Sequence, residues 1–447
     1  MNRSTGSGTE GGFKHAGVVD GVRFTAQVGL PNVLQGLFKK RPLVTAAASA
    51  ARIDALGHML VAGMVERYGP GPFYVRVGAE EALLLHDPDD IEFVLSQSPD
   101  PFASDPEAKT KGMSAFQPDA LTLSRGDLWR NRRDFAEYVL ATGKPLHPLA
   151  QTFVAVVDAE ASALARREAF DFGDLNASFQ RITRRVVFGE AAADDEELTS
   201  MLGALMAAAN RTPGKPAPGY VDFLAKIQTY VDEPDGQSLV GRFADSPHAG
   251  STHPAGQAIH WLFAMGDTLP MNLIRTLALL ATHPEQLHEV RAELAEIDLD
   301  DASQLAGLGY LGGCILDTMR LWPTTPLFGR VTTRDVTFPG DRVLKANTQV
   351  LIDNAFNHRN GARIAYADRF APGEWSSGDA GESWLFNFFS HGPQGCPGAG
   401  LSIFLGQAFL AKLLAVRTPI SSVELKPGGP LPHSLDVFGL RISLRNR

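Results

Sequence analysis

Two cysteines occur in the 447 residues, Cys314 and Cys396, and the second lies where sequence favours reactivity. It sits in Phe386-Asn-Phe-Phe-Ser-His-Gly-Pro-Gln-Gly-Cys-Pro-Gly-Ala-Gly-Leu-Ser-Ile-Phe-Leu405, a Gly/Pro-rich loop that runs into an apolar helical pattern. A thiol at a helix start meets unpaired amide N–H groups and the positive end of the helix dipole. Such placement is expected to favour thiolate, the form that ligates metals. A second stretch, residues 256–282, is an apolar helical pattern interrupted by Gly266-Asp267-Thr268-Leu-Pro270. Polar groups inside a buried helix are costly unless they have partners or a task. Pro270 has no N–H to offer the Gly266 carbonyl, so a kink is expected there, with that carbonyl free for water or a ligand. An adjacent acid and alcohol can move a proton, although an ordinary core helix with a buried capping pair fits the same residues. Trp129 and Arg133 are four apart and share a helix face; Asp317 and Arg320 are three apart and can pair. Either pair could equally decorate a solvated surface.

The elements that must position these groups follow from periodicity. Residues 48–68 read as a helix stopped by Gly69-Pro70-Gly71-Pro72, followed by strands at 73–77 and 82–86 and a short helix at 89–95. Residues 99–125 read as an irregular loop, a length that is often functional. Helices are expected from Gly126, then over 149–168, 179–189, 196–210, 219–231, 256–282, 282–297 and 308–323, the last ended by Pro323. From Pro326 to Asn357, and again from Ser421, short alternating runs read as strands. The chain is thus mainly α with a small β region. Cys314 reads as a buried small hydrophobe.

Composition narrows the function. A net charge of −9 argues against a nucleic-acid binder. Two cysteines exclude a disulfide framework. No run of roughly 18 apolar residues is found, so no transmembrane segment is expected. No Gly-x-Gly-x-x-Gly follows a strand, so no nicotinamide domain is fused. The polar, Gly/Ser/Thr-rich start suggests a disordered tail over residues 1–20, with a single domain over 21–447, in a cytoplasmic monomer.

Taken in order, Trp129-x-x-x-Arg133, Ala264-Met-Gly266-Asp267-Thr268, Asp317-x-x-Arg320, Arg330, Asp368-Arg369-Phe370-Ala-Pro372 and Phe389-x-x-Gly392-x-x-x-Cys396-x-Gly398 resemble the cytochrome P-450 superfamily. The resemblance covers roughly residues 50–445. It implies that superfamily's fold, with haem (iron protoporphyrin IX) between a long distal helix and the helix after the cysteine loop. Cys396 would be the axial thiolate and metal ligand. Trp129, Arg133 and Arg330 would hold the propionates, with Gln394 offering a hydrogen bond but no charge; Phe389 would lie under the porphyrin beside the sulfur, and Gly392 and Gly398 would shape the loop. Ala264 and Gly266 would line the oxygen groove, with Asp267 and Thr268 as the catalytic proton relay. Three positions depart from the pattern: Gln394 replaces a cation, Asp317 a glutamate and Glu374 an arginine. Arg320 is therefore expected to bridge Asp317 and Glu374.

The function implied is a haem-dependent monooxygenase that inserts one oxygen atom of O2 into a lipophilic small molecule. Electrons would come from a separate ferredoxin or flavodoxin and its reductase. Arg130, Arg132 and Lys412 are the basic residues expected on the docking face. Phe102, Met113, Phe116, Phe263, Met265 and Leu327 form the expected apolar pocket wall, and Leu435 to Phe438 a tip that reaches it. The alternatives are a haem-thiolate peroxygenase or isomerase working without O2, and a non-catalytic haem-thiolate binder.

Overall fold

A computed structural model describes residues 9–10 and 12–447. Its main sheet is assembled from two distant stretches, residues 9–103 and 327–353. Strands β1 (Thr9–Glu10), β2 (Phe13–His15), β3 (Phe73–Val77), β4 (Glu80–Leu85), β5 (Phe102–Ala103), β6 (Leu327–Thr332) and β7 (Gln349–Asp353) lie in the order β1-β2-β3-β4-β7-β6-β5. The β3–β4 hairpin arises where Gly78 supplies positive φ between two apolar runs. β7 then pairs with β4 in parallel and β6 in antiparallel fashion, with Arg330 opposite Val350. β5 closes the edge with Phe102 opposite Thr332, which brings residues 98–104 beside Arg330.

The tail expected over residues 1–20 is corrected from residue 13 onward. Phe13 is buried against Phe338 and Tyr74, and residues 18–24 are helical. Burying that ring outweighs the polar composition around it. Residues 1–8 and 11 lie outside the described part.

The helical layer carries the other site segments. They are α1 (Gly126–Leu140), α2 (Ala150–Ala165), α3 (Phe172–Phe188), α4 (Pro254–Phe263), α5 (Leu269–Thr282), α6 (Gly309–Leu321) and α7 (Ala399–Val416). α3 starts at a capping box in which Asp171 and Asp174 satisfy each other's backbone N–H. α4 begins with Pro254 at its first position, and a π-helical turn, Ala264–Thr268, joins it to α5.

α7 corrects one expectation. With a mean hydropathy of 1.8 it is long and apolar enough to cross a membrane by composition alone, and the polar Gln407 and Lys412 hid this in a residue-by-residue reading. Here 61% of it is buried inside the fold, and that core position accounts for the apolarity. The same core holds α2, α3, α5 and α6, with Cys314 fully buried among them. Residues 99–125 are less irregular than expected, containing a helix over Glu107–Met113 and a single turn over Leu121–Leu123.

Candidate functional site

The cysteine loop is held by its backbone. The Cys396 N–H donates to the Phe389 carbonyl at 2.8 Å, closing the turn. Gly392 has φ +68°, and a Cβ there would lie 2.2 Å from the Leu95 carbonyl oxygen, so only glycine fits. Gly398 is different. It has ordinary φ and room for a Cβ, and its contribution is an N–H placed to lower the Cys396 thiol's pKa. The thiol keeps accessible surface although protein encloses it on all sides, so it opens onto an internal space.

Burial pushes the Cys396 thiol above its ordinary range, while the Gly398 N–H and the Arg133 charge pull the other way without prevailing. This reverses the expected shift toward thiolate. α7 begins only at Ala399, so one N–H favours the thiolate and desolvation outweighs it. A bound cation would reverse the balance, because a coordinating thiol is deprotonated outright.

Cationic and hydrogen-bonding groups gather beside the loop. Arg330 is 4% exposed, and it donates to the hydroxyls of Ser98 at 3.2 Å and Ser390 at 3.0 Å and to the Gly329 carbonyl. No carboxylate pairs with it among the described residues, and burial lowers its pKa to about 10. Lys109 donates to the carbonyls of Ser104 and Thr122, and burial, reinforced by the Arg330 charge, lowers it to about 7. Two like charges near each other in the interior are costly without an anion between them. Arg133 joins α1 to the loop, donating to Glu137 at 2.6 Å and to the Gly395 carbonyl. Trp129, one turn earlier on α1, is half-buried, and its indole N–H has no hydrogen-bond partner among the described residues. Gln394 donates to the Ser104 hydroxyl at 3.0 Å, and its buried Oε1 has no partner.

On the distal side the helix widens where Thr268 donates to the Ala264 carbonyl at 2.5 Å. The Gly266 carbonyl, expected to be free, accepts from the Asn176 amide at 2.8 Å. Gly266 itself faces α3 and not a groove, since a Cβ there would meet the Gln180 amide at 2.8 Å. Asp267 accepts from Gln180 at 3.1 Å and Asn176 at 3.4 Å, and burial raises its pKa. Asn176 and Gln180 are four apart on α3, a paired-amide spacing that the sequence offered and that went unused.

The brace between α6 and the loop also differs from expectation. Arg320 grips Asp317 through two nitrogens, at 2.6 and 3.2 Å, and donates to the carbonyls of His358, Ala367 and Arg369. Asp317 further accepts from the Ala371 N–H and the Trp375 indole. Glu374 is exposed and takes no part, so the expected bridge is absent. With the shorter aspartate, backbone carbonyls and an indole complete the network in place of a third charged side chain.

The expected basic patch dissolves as well. Arg132 is 5% exposed and bonded to Ser124 and Asp119; Lys412 is paired with Asp158 and Asp300; Arg130 pairs with Asp127. Of the expected pocket wall, Phe116 and Phe263 make an edge contact at 6.3 Å, and Met265 belongs to the same core. Phe102 packs against Phe93 under the sheet, Leu327 lies in a third cluster, and Met113 is buried outside all three. Leu435 to Phe438 line a cavity of about 110 Å³ with Lys40, Asp54 and Arg275.

Comparison with known proteins bears on these features together. The family model for cytochrome P450 matches residues 251–416, from α4 through the cysteine loop and α7. Residues 251–416 are thus similar to a cytochrome P450 domain. Cytochrome P450 81F4 of Arabidopsis thaliana is 24% identical over 77% of this chain and 78% of its own length. Cytochrome P450 4c3 of Drosophila melanogaster is 30% identical over 34% of the chain, and cytochrome P450 4A6 of Oryctolagus cuniculus is 32% identical over 37%. These two matches span only 30% and 32% of those relatives. Family members bind haem through a cysteine thiolate, and the residues present here fit that cofactor. One thiol opens onto an internal space, while Cys314 is 0% exposed and has nothing but core around it. The buried Arg330, unpaired with any carboxylate among the described residues, and the half-buried Lys109 suit a group that carries propionates.

Proposed function

We propose that this chain is a haem-thiolate monooxygenase that places one oxygen atom of O2 into a lipophilic small molecule. The observation that carries this reading is the enclosed but accessible Cys396 thiol with buried, carboxylate-free Arg330 beside its loop. Haem ligated through a thiolate supplies reductive activation of dioxygen when bound. Cys396 would hold the iron, with the Gly398 N–H placed to favour its thiolate. Arg330, Trp129 and Arg133 would hold the propionates, and the Ser98 and Ser390 hydroxyls aim the Arg330 guanidinium.

Proton handling falls to the π-helical turn. Asp267, its pKa raised by burial, can carry a proton at its carboxyl oxygen, where the Gln180 and Asn176 amides orient it. The Thr268 hydroxyl, tied to the Ala264 carbonyl, keeps its lone pairs for an incoming donor. Such a pair contributes on the order of 10²–10⁴ in rate when correctly placed. Aromatic side chains at Phe116 and Phe263 favour an apolar substrate body. Electrons would be delivered by a ferredoxin or flavodoxin with its reductase.

Turnover across a substrate panel, with a surrogate ferredoxin and reductase, tests the reading. Wild type should form oxygenated product that carries label from ¹⁸O2. Thr268→Ala should keep its substrate-binding spectrum but yield far less product per electron consumed. Product formation from peroxide alone, insensitive to Thr268→Ala, would favour the peroxygenase alternative and defeat the proposal.

A further inference from the structure

Gln117 and His260 are the strongest unexplained polar pair in the interior. Gln117 is 0% exposed, and its Nε2 has no hydrogen-bond partner among the described residues. Its Oε1 lies 3.0 Å from His260 Nδ1. An unpaired buried amide N–H is an energetic liability that a ligand can remove. His260 stands on α4, one turn before Ala264, and keeps accessible surface although protein encloses it. The pair is set in an aromatic wall: Phe116 precedes Gln117, and Phe263 touches both Phe116 and the His260 ring.

The protonation state is determined by the surroundings. Burial, then the nearby Lys109 charge, lowers the His260 pKa to about 4, so the ring is neutral. A neutral imidazole has one N–H and one lone pair. With Gln117 Oε1 accepting from Nδ1–H, the groups left over are the amide N–H and the Nε2 lone pair. With the amide turned over, the leftovers are Nε2–H and the Gln117 oxygen. Either arrangement presents one donor beside one acceptor.

We infer that Gln117 and His260 form a specificity site for a neutral group that both donates and accepts, a hydroxyl or an amide on the lipophilic substrate. A carboxylate would set its oxygens against the pair's leftover acceptor. A plain hydrocarbon would leave the Gln117 amide unpaired. The inference rests on the monooxygenase reading and narrows its substrate class.

The test uses the haem-loaded protein and matched triplets on alkyl, bicyclic and steroid skeletons: alcohol, methyl ether and carboxylate. Binding is followed by calorimetry and by the haem absorption shift. Wild type should bind the alcohol of at least one skeleton about tenfold tighter than its methyl ether. Gln117→Met and His260→Phe should each abolish that preference while binding the ether about as well as wild type. A wild type that distinguishes no triplet, a preference that survives in both variants, or tightest binding of the carboxylate would each overturn the inference. The carbon-monoxide spectrum of each protein keeps the two claims apart. A normal thiolate band without alcohol preference sinks only the specificity site, whereas a missing band in wild type sinks the haem-thiolate reading itself.

Discussion

His358 shows how one residue ties the proximal side together. Its Nε2 accepts the Asn387 N–H at 2.9 Å, so Nδ1 carries the proton and donates to the Arg320 carbonyl at 3.2 Å. Burial lowers its pKa to about 3 against an ordinary 6.5. The unfolded chain therefore binds a proton that the folded chain refuses. The stability is fully present above about pH 6.5 and is lost as pH falls from there toward 3. Urea unfolding between pH 5 and 7.5 should show stability rising with pH, and His358→Gln should remove about one proton from that slope. Arg320 is the harsher probe. Arg320→Ala leaves Asp317 buried and uncompensated, a loss of about 3–5 kcal/mol. Glu374→Ala should stay within about 0.5 kcal/mol, since its side chain is exposed and outside the network. Equal losses from the two variants would contradict the observed brace. At this scale the sequence was legible for residue type and spacing, as with Asp317–Arg320 and Phe389-x-x-Gly392. It was not legible for partners: Asn176, Gln180 and Lys109 come from distant segments. The wrong sign for Cys396 arose because desolvation depends on everything packed around the sulfur.

At the scale of elements, two glycines have separate duties. Gly392 lets the cysteine loop lie against the Leu95 carbonyl, a backbone atom that cannot swing aside. Gly392→Ala, with φ +68° as well, should weaken haem retention, measured as transfer to an apo-globin acceptor, while the helical circular dichroism remains. Gly266 lets α3 approach the π-helical turn, and there the obstacle is the end of the flexible Gln180 side chain. Gly266→Ala should therefore cost about 1 kcal/mol or less and act by pushing the Gln180 amide off Asp267. In a Gln180→Ala background the same change should have no further effect on product per electron. Helix periodicity located α1, α2, α4 through α6 and α7 within a few residues, since long apolar stripes survive tertiary context. The π-helical turn was foreseen only as a kink at Pro270. The fate of the Gly266 carbonyl depended on an amide some ninety positions away.

Across the whole molecule, the sheet joins residues near 13, 75, 83, 102, 330 and 351, and so gathers the Arg330 strand, the Ser98 turn and the cysteine loop. Strand positions were readable from alternation. Their pairing was not, because it is set by contacts across hundreds of residues. The burial of Phe13 was hidden for the same reason, in a stretch whose polar composition resembled a tail. The central claim is that this fold presents Cys396 as a thiolate to haem iron. The most direct test is the carbon-monoxide difference spectrum of the reduced, haem-loaded protein, taken for wild type, Cys396→His and Cys314→Ala. Wild type and Cys314→Ala should show the red-shifted thiolate Soret band, and Cys396→His the shorter-wavelength band of nitrogen ligation. A wild type without the thiolate band, or a Cys396→His that retains it, would contradict the account.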